Sequence, residues 1–182
     1  MARALYIGRF QPFHKGHLDV LKYMESATDI EEIIIGVGSS QYNNEHKSPD
    51  VPWSRNPFTY EERKEMIELS LDGELSKPYK IVPIPDYHHY PRWFNHIRTK
   101  LPDFAVLYTV DGEEKDFFSE KGYEVREFPR VYDFSARILR RKIVNGEMYT
   151  YALPKGTVEV MKKIGAEDRL KCLFAQDVAA II

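Results

Sequence analysis

The sequence predicts a doubly wound parallel α/β sheet with a helical extension at its C-terminal end. Three observations lead there. Short apolar runs rich in β-branched residues, residues 31–38 the clearest, alternate with segments of helical period. The first apolar run feeds a glycine-containing turn that opens a helix, and open α/β sheets bind ligands at such an edge. The last part of the chain keeps helical spacing and loses strand patterning. The 182 residues suit one domain, 1–182, with an α/β core over 1–134 and closing helices over 135–182.

Composition narrows the function classes. Net charge is −2, so no basic field argues for nucleic acid. Cys172 is the only cysteine, which excludes an internal disulfide and suits a reducing compartment. No run approaches the ~18 apolar residues of a membrane span, and the first residues lack a signal-peptide core. A cytoplasmic protein without membrane contact is the expectation.

The first strand is expected over 3–8 and the first helix over 16–28. Between them lies Gly8-Arg9-Phe10-Gln11-Pro12-Phe13-His14-Lys15-Gly16-His17. Strand, tight turn and helix start aim backbone N–H groups and a positive helix end at an anion. Gly8 is expected to let the chain turn, and Gly16 to admit a phosphate close to the backbone. His14 and His17, three apart, share one face of the first turn. Arg9 and Lys15 add fixed positive charge. The combination reads as a polyphosphate site. The plainer alternative, a surface histidine pair or half of a zinc site, lacks the four-residue spacing and a nearby third ligand.

Residues 8–18 resemble the first motif of the His-x-Gly-His nucleotidyltransferase superfamily. The full string, through Leu18, is similar to the archaeal-type nicotinamide mononucleotide adenylyltransferases. The resemblance implies a Rossmann-like nucleotidyltransferase fold. It also implies ATP and nicotinamide mononucleotide as substrates, NAD as product and Mg²⁺ held mainly through ATP phosphates. Homo-oligomers, often hexamers, are implied as well. His14, His17 and Arg9 fall on catalytic positions of that motif, and Gly8, Phe10 and Gly16 on ATP-binding ones.

The resemblance continues down the chain. A buried strand over 31–38 ends in Gly38-Ser39-Ser40-Gln41, similar to the family's Gly-Ser-x-Gln. That implies acceptor binding by Ser39 and Gln41; the pattern alone is equally an ordinary polar turn. Residues 42–58 have no period and hold Pro49, Pro52 and Pro57, as in a disordered loop or an active-site lid. At its end, Arg55-Asn56-Pro57-Phe58-Thr59 matches Arg-x-Pro-Phe-Thr, whose arginine is implied to touch the triphosphate. Thr59 and Glu62 form a capping-box pattern opening a helix that carries Met66, Ile67, Ser70 and Leu71 inward. Arg63 on that helix could pair with a phosphate, but a salt bridge to a glutamate is the expectation.

A third strand, 79–85, carries Pro83 and Pro85, which mark an edge or an early end. Asp86 follows it, and Trp93 opens a helix through Lys100. A carboxylate and an indole can hold a flat cationic heterocycle, although a turn aspartate and a core tryptophan fit the pattern too. The family's Pro-x-x-Asp, with tryptophan at the same spacing, implies nicotinamide binding. His88, His89 and His96 read as local polar residues. The fourth strand is 104–110, followed by a turn and a charged helix start. Thr109-Val110-Asp111-Gly112 departs here from the family's Ser-Gly-Asn-Pro; Asp111 keeps the position of an acceptor-binding residue.

The fifth strand begins at 122 and ends near Phe128. Ser135 is expected to cap a helix bearing Arg137, Arg140 and Arg141, whose basic end can close over a triphosphate. Ser135 and Arg140 match a hydroxyl-rich turn of the family; Arg137 stands where a second hydroxyl is usual. Two amphipathic helices, 154–164 and 168–180, then bury Val158, Met161, Ile164, Leu170, Leu173 and Phe174. No protein side chain is expected to ligate metal.

The resulting expectation is adenylyl transfer from ATP to nicotinamide mononucleotide. Residues 109–112 and Arg137 keep open a related transferase with another phosphate acceptor or CTP. A nucleotide sensor without turnover is a further alternative.

Overall fold

The structure is a computed structural model and describes residues 2–129 and 131–180. Its sheet has five parallel strands: β1 (Ala2–Gly8), β2 (Ile30–Gly38), β3 (Tyr79–Ile84), β4 (Val106–Tyr108) and β5 (Glu124–Arg126). Their order is β3-β2-β1-β4-β5. The order reverses at β1, so the crevice beyond the carboxyl ends of β1, β2 and β4 is the expected ligand site. β3 is an edge strand, as Pro83 within it indicates, and it ends just before Pro85.

Helices cover both faces: α1 (Lys15–Ser26), α2 (Tyr60–Leu71), α3 (Tyr90–Lys100), α4 (Gly112–Glu120), α5 (Ala136–Val144), α6 (Lys155–Lys163) and α7 (Ala166–Ala179). Alternation along the strands assigns the faces. Ala4, Tyr6, Ile33, Ile35 and Val37 face α1, α2 and the C-terminal helices in one apolar cluster. Leu5, Ile34 and Leu107 face Ile97 of α3 and Phe118 of α4 in the other. The first cluster runs unbroken from β1 to Leu170 of α7. The C-terminal helices are therefore part of the main core.

Several local expectations are corrected. α1 starts at Lys15, with His14 as its N-cap. α3 starts at Tyr90, capped by His89, which accepts the N–H of Arg92 at 3.3 Å; Trp93 lies one turn in. β4 and β5 are three residues each, shorter than their apolar runs. In α6 the fully buried residues are Gly156, Thr157, Val160 and Met161, whereas Val158 is only partly covered. A Cβ at Gly156 would lie 2.4 Å from the backbone of Leu69, so α2 and α6 pack almost backbone to backbone there. Phe174 and Ile164 are partly buried.

The 42–58 segment is tied to the rest of the fold at several points. It contains a 3₁₀ turn, Trp53–Arg55. Asp177 of α7 accepts the N–H groups of Trp53 and Ser54 at 2.7 and 2.9 Å. Asp50 pairs with Nδ1 of His88 at 2.6 Å, and the Tyr42 hydroxyl meets Nε2 of the same ring at 2.9 Å. At the sheet edge, Ile33 N–H and Ser40 N–H bond the carbonyls of Pro78 and Ile84, which turns Tyr79, Ile81 and Pro83 outward. The Tyr60 hydroxyl donates to the Ile81 carbonyl at 3.4 Å.

Candidate active site

The turn after β1 is built by side chains packing around it. Phe10 takes the left-handed conformation, φ 51°, and its ring is 1% exposed. A Cβ at Gly8 would lie 2.7 Å from that ring, so Gly8 is needed for the ring rather than for the turn itself. Gly16 plays the same part for His14, whose ring would lie 3.1 Å from an added Cβ. Gln11 is 2% exposed and spends its amide on the Phe58 backbone, donating to the carbonyl at 3.1 Å and accepting the N–H at 3.0 Å. This pair ties the end of the 42–58 segment to the turn.

His14 and His17 stack with centroids 3.6 Å apart. The His14 backbone N–H donates to Nδ1 of His17 at 3.2 Å, which leaves the His17 proton on Nε2. Nδ1 of His14 is buried without a partner. Burial lowers the His14 pKa to about 4 and holds His17 well below the usual range, with His14 adding to the latter. Both rings are neutral at pH 7 and act as hydrogen-bond donors.

Arginines converge on this pair. Arg9, Phe10, His14, His17, Arg55, Ser135, Arg137 and Arg140 line one cleft of about 350 Å³. Phe10 contributes with its ring turned into the core. Burial lowers the pKa of Arg140 to about 9, and Arg9, Arg55 and Arg137 push it the same way. Arg9 is lowered to about 10 by burial and by Arg55, against an opposing pull from Asp86. Arg140 donates from Nη1 to the Gln11 carbonyl at 2.6 Å, while its buried Nε has no partner. Among the described residues no ion pair satisfies these four guanidiniums. Mutually repelling cations with unspent donors are organised for a polyanion.

Two further cavities open from this cleft. One, about 470 Å³, shares Arg9 and is lined by Gly8, Ser39, Asp86, Trp93 and Glu114. The other shares His14, His17 and Ser135 and runs over Gly16, Val110 and Phe134. Ser135 caps α5, accepting the Ile138 N–H at 3.4 Å. Ser39, at φ 48°, donates to Asp86 Oδ2 at 3.4 Å.

Two expected acceptor residues do not line these cavities. Gln41 brackets the Asp86 backbone, donating to its carbonyl at 2.7 Å and accepting its N–H at 3.0 Å. Asp111 caps α4 by accepting the Glu114 N–H at 3.1 Å. Both therefore act on the cavity through a neighbour.

Arg63 overturns its expectation. It is 0% exposed and pairs with no glutamate. Its guanidinium donates to the carbonyls of Thr59 (3.1 Å), Arg9 (2.9 Å), Gly38 (2.8 Å) and Ser39 (3.4 Å). Glu62 instead holds Arg169 in a two-point contact at 2.7 and 2.8 Å. Arg63 thus fixes the ends of β1 and β2, from which Arg9 and Ser39 project. Its only sequence signal was a charged residue on the inward face of a helix. Among the described residues no group of three His, Cys, Asp or Glu side chains could hold a metal ion, and no helix is long and apolar enough to cross a membrane.

Residues 5–142 match the cytidylyltransferase-like family model. The protein belongs to the cytidylyltransferase-like family. Within this family it is 39% identical to the nicotinamide-nucleotide adenylyltransferase of Methanococcus aeolicus, over 96% of both chains. Identity to the nicotinamide-nucleotide adenylyltransferase of Thermoplasma volcanium is 37%, over 96% of this chain and 94% of that one. A bifunctional NMN adenylyltransferase/ADP ribose pyrophosphatase from Francisella tularensis has the same fold, with TM-score 0.76 and 23% identity over the whole of this chain. This family member spans 55% of that bifunctional chain.

Proposed function

We propose that the protein joins the adenylyl group of ATP to nicotinamide mononucleotide, giving NAD and pyrophosphate. The observation that carries this reading is the convergence of Arg9, Arg55, Arg137 and Arg140, unpaired, on the stacked His14–His17 pair. The names of relatives at 37–39% identity support the same reaction.

In the reaction, an acceptor phosphate oxygen attacks the α-phosphorus in line. The new P–O bond forms as the bond to the bridging oxygen breaks, and its electron pair leaves with pyrophosphate. The nucleophile is already anionic at pH 7, so no general base is required. His17 donates from Nε2, and His14 from its ring N–H, to triphosphate oxygens. Arg9, Arg55 and Arg140 neutralise charge moving onto the leaving group, with Arg137 at the rim. Arg9 borders both cavities and therefore holds the two reacting phosphates together.

The base of the acceptor lies in the cavity of Ser39, Asp86 and Trp93, where the indole face suits a cationic ring. Adenine lies over Gly16 and Val110. A magnesium ion would enter on the triphosphate and its own water rather than on this cleft's side chains, and would add charge neutralisation when bound. The reading takes in a cytoplasmic homo-oligomer, with a hexamer as the assembly to test by light scattering.

The deciding experiment is pyrophosphate release with ATP and Mg²⁺ across acceptors. Turnover with nicotinamide mononucleotide, with NAD as the second product, is expected. Tight ATP binding without turnover on it, alongside turnover with another phosphate acceptor or with CTP, overturns the reading.

A further inference from the structure

The cavity beside Asp86 and Trp93 carries a carboxylate that the transfer step does not use. Glu114, in the first turn of α4, lines it. Its Oε2 accepts the Thr109 hydroxyl at 2.8 Å. Thr109 Oγ1 also accepts the Asp111 N–H at 3.1 Å, so the end of β4 and the cap of α4 together fix where the carboxylate sits. The other oxygen, Oε1, has no hydrogen-bond or ion-pair partner among the described residues. Burial raises the Glu114 pKa, partly offset by the Thr109 bond, and Asp111 raises it further.

The cavity is graded in charge. Arg9, shared with the arginine cleft, is its cation at the phosphate end. Asp86 and Glu114 are its carboxylates. A carboxylate in partly desolvated surroundings interacts with an incoming charge more strongly than one in water. A free Oε1 accepts from an amide N–H and repels a second carboxylate.

We propose that Glu114, held on Thr109, is a specificity-determining residue that admits an acceptor with an uncharged amide on a cationic ring and rejects one whose ring carries a carboxylate. The inference rests on the adenylyl-transfer reading above, which puts the acceptor's base in this cavity.

The test is initial-rate kinetics on the full chain with ATP and Mg²⁺, comparing nicotinamide mononucleotide with nicotinic acid mononucleotide. Glu114→Gln is expected to narrow the kcat/KM preference for the amide by about tenfold or more, through a lower KM for the acid. Glu114→Asp keeps the charge and should keep the preference. Asp116→Asn, an exposed change on the same helix, should leave it unaltered. An unchanged preference in active Glu114→Gln overturns the inference and leaves the reaction standing. Calorimetry on the unmutated protein gives a second arm, in which equal affinity for the two mononucleotides also overturns it. No pyrophosphate from the unmutated protein with either mononucleotide overturns the adenylyl-transfer reading and this inference with it.

Discussion

Arg63 donates from Nη1 to the carbonyl oxygen of Arg9 at 2.9 Å. One buried guanidinium thus orients another residue's backbone, and through it a side chain of the active site. Arg63→Met would leave several buried carbonyls unpaired at about 1–3 kcal/mol each. A large fall in the denaturant midpoint is expected. Arg63→Lys keeps a charge yet cannot span the same acceptors. It should fold and show a reduced kcat/KM, which steady-state kinetics would reveal.

His17→Ala removes a donor from the triphosphate and the acceptor of the His14 N–H. By comparison with other anion-stabilising donors, the barrier should rise by about 2.7–4 kcal/mol. Turnover should fall at least a hundredfold with circular dichroism unchanged. An unchanged rate would remove His17 from the mechanism.

The two histidines also predict a pH response. His14 titrates near 4 when folded because burial disfavours its charged form, against about 6.5 when unfolded. Below pH 6.5 the unfolded chain takes up a proton that the folded one refuses. The stabilising contribution is therefore complete above 6.5 and is lost as pH falls toward 4. Thermal midpoints of the ligand-free protein should drop across that window, and His14→Gln should flatten the drop. A bound triphosphate favours the protonated rings. ATP binding near pH 6 should therefore take up protons, which calorimetry in buffers of differing ionisation enthalpy measures.

Asp177 caps the turn that carries Arg55. Asp177→Ala should cost about 0.5–2 kcal/mol, as loss of a cap does. It should also raise the KM for ATP more than that for the acceptor. Equal changes in both constants would mean that Arg55 is held by other contacts.

Inorganic tripolyphosphate should stabilise the protein because the arginine cleft is unpaired. At about a hundredfold excess over its dissociation constant the gain is about 2.7 kcal/mol. Arg140→Ala should abolish most of the thermal shift.

The strands were legible because short β-branched apolar runs record burial on both faces of a parallel sheet. The edge position of β3 was legible from Pro83 and its end from Pro85, and the α2 start from Thr59 and Glu62. Asp86 and Trp93 could be paired in advance and do line one cavity. Arg63 could not be read correctly, because its partners are backbone carbonyls and leave no mark in side-chain chemistry. Asp177 lies 124 residues from Trp53, and no local pattern links them. Glu114 looked like an ordinary acidic residue in a helix's first turn. Its position on a cavity wall follows from where β4 ends, two residues earlier than the apolar run suggests.

The outward row of β3 bears on how copies of the protein can meet. A foreign strand approaching that edge finds no N–H on Pro83 and an Ile81 carbonyl already taken by Tyr60. Sheet extension from one molecule to the next is interrupted at two of the three outward positions. Strand addition and fibrillar growth along the β3 side are thereby blunted, whatever copies of the protein do elsewhere on their surface.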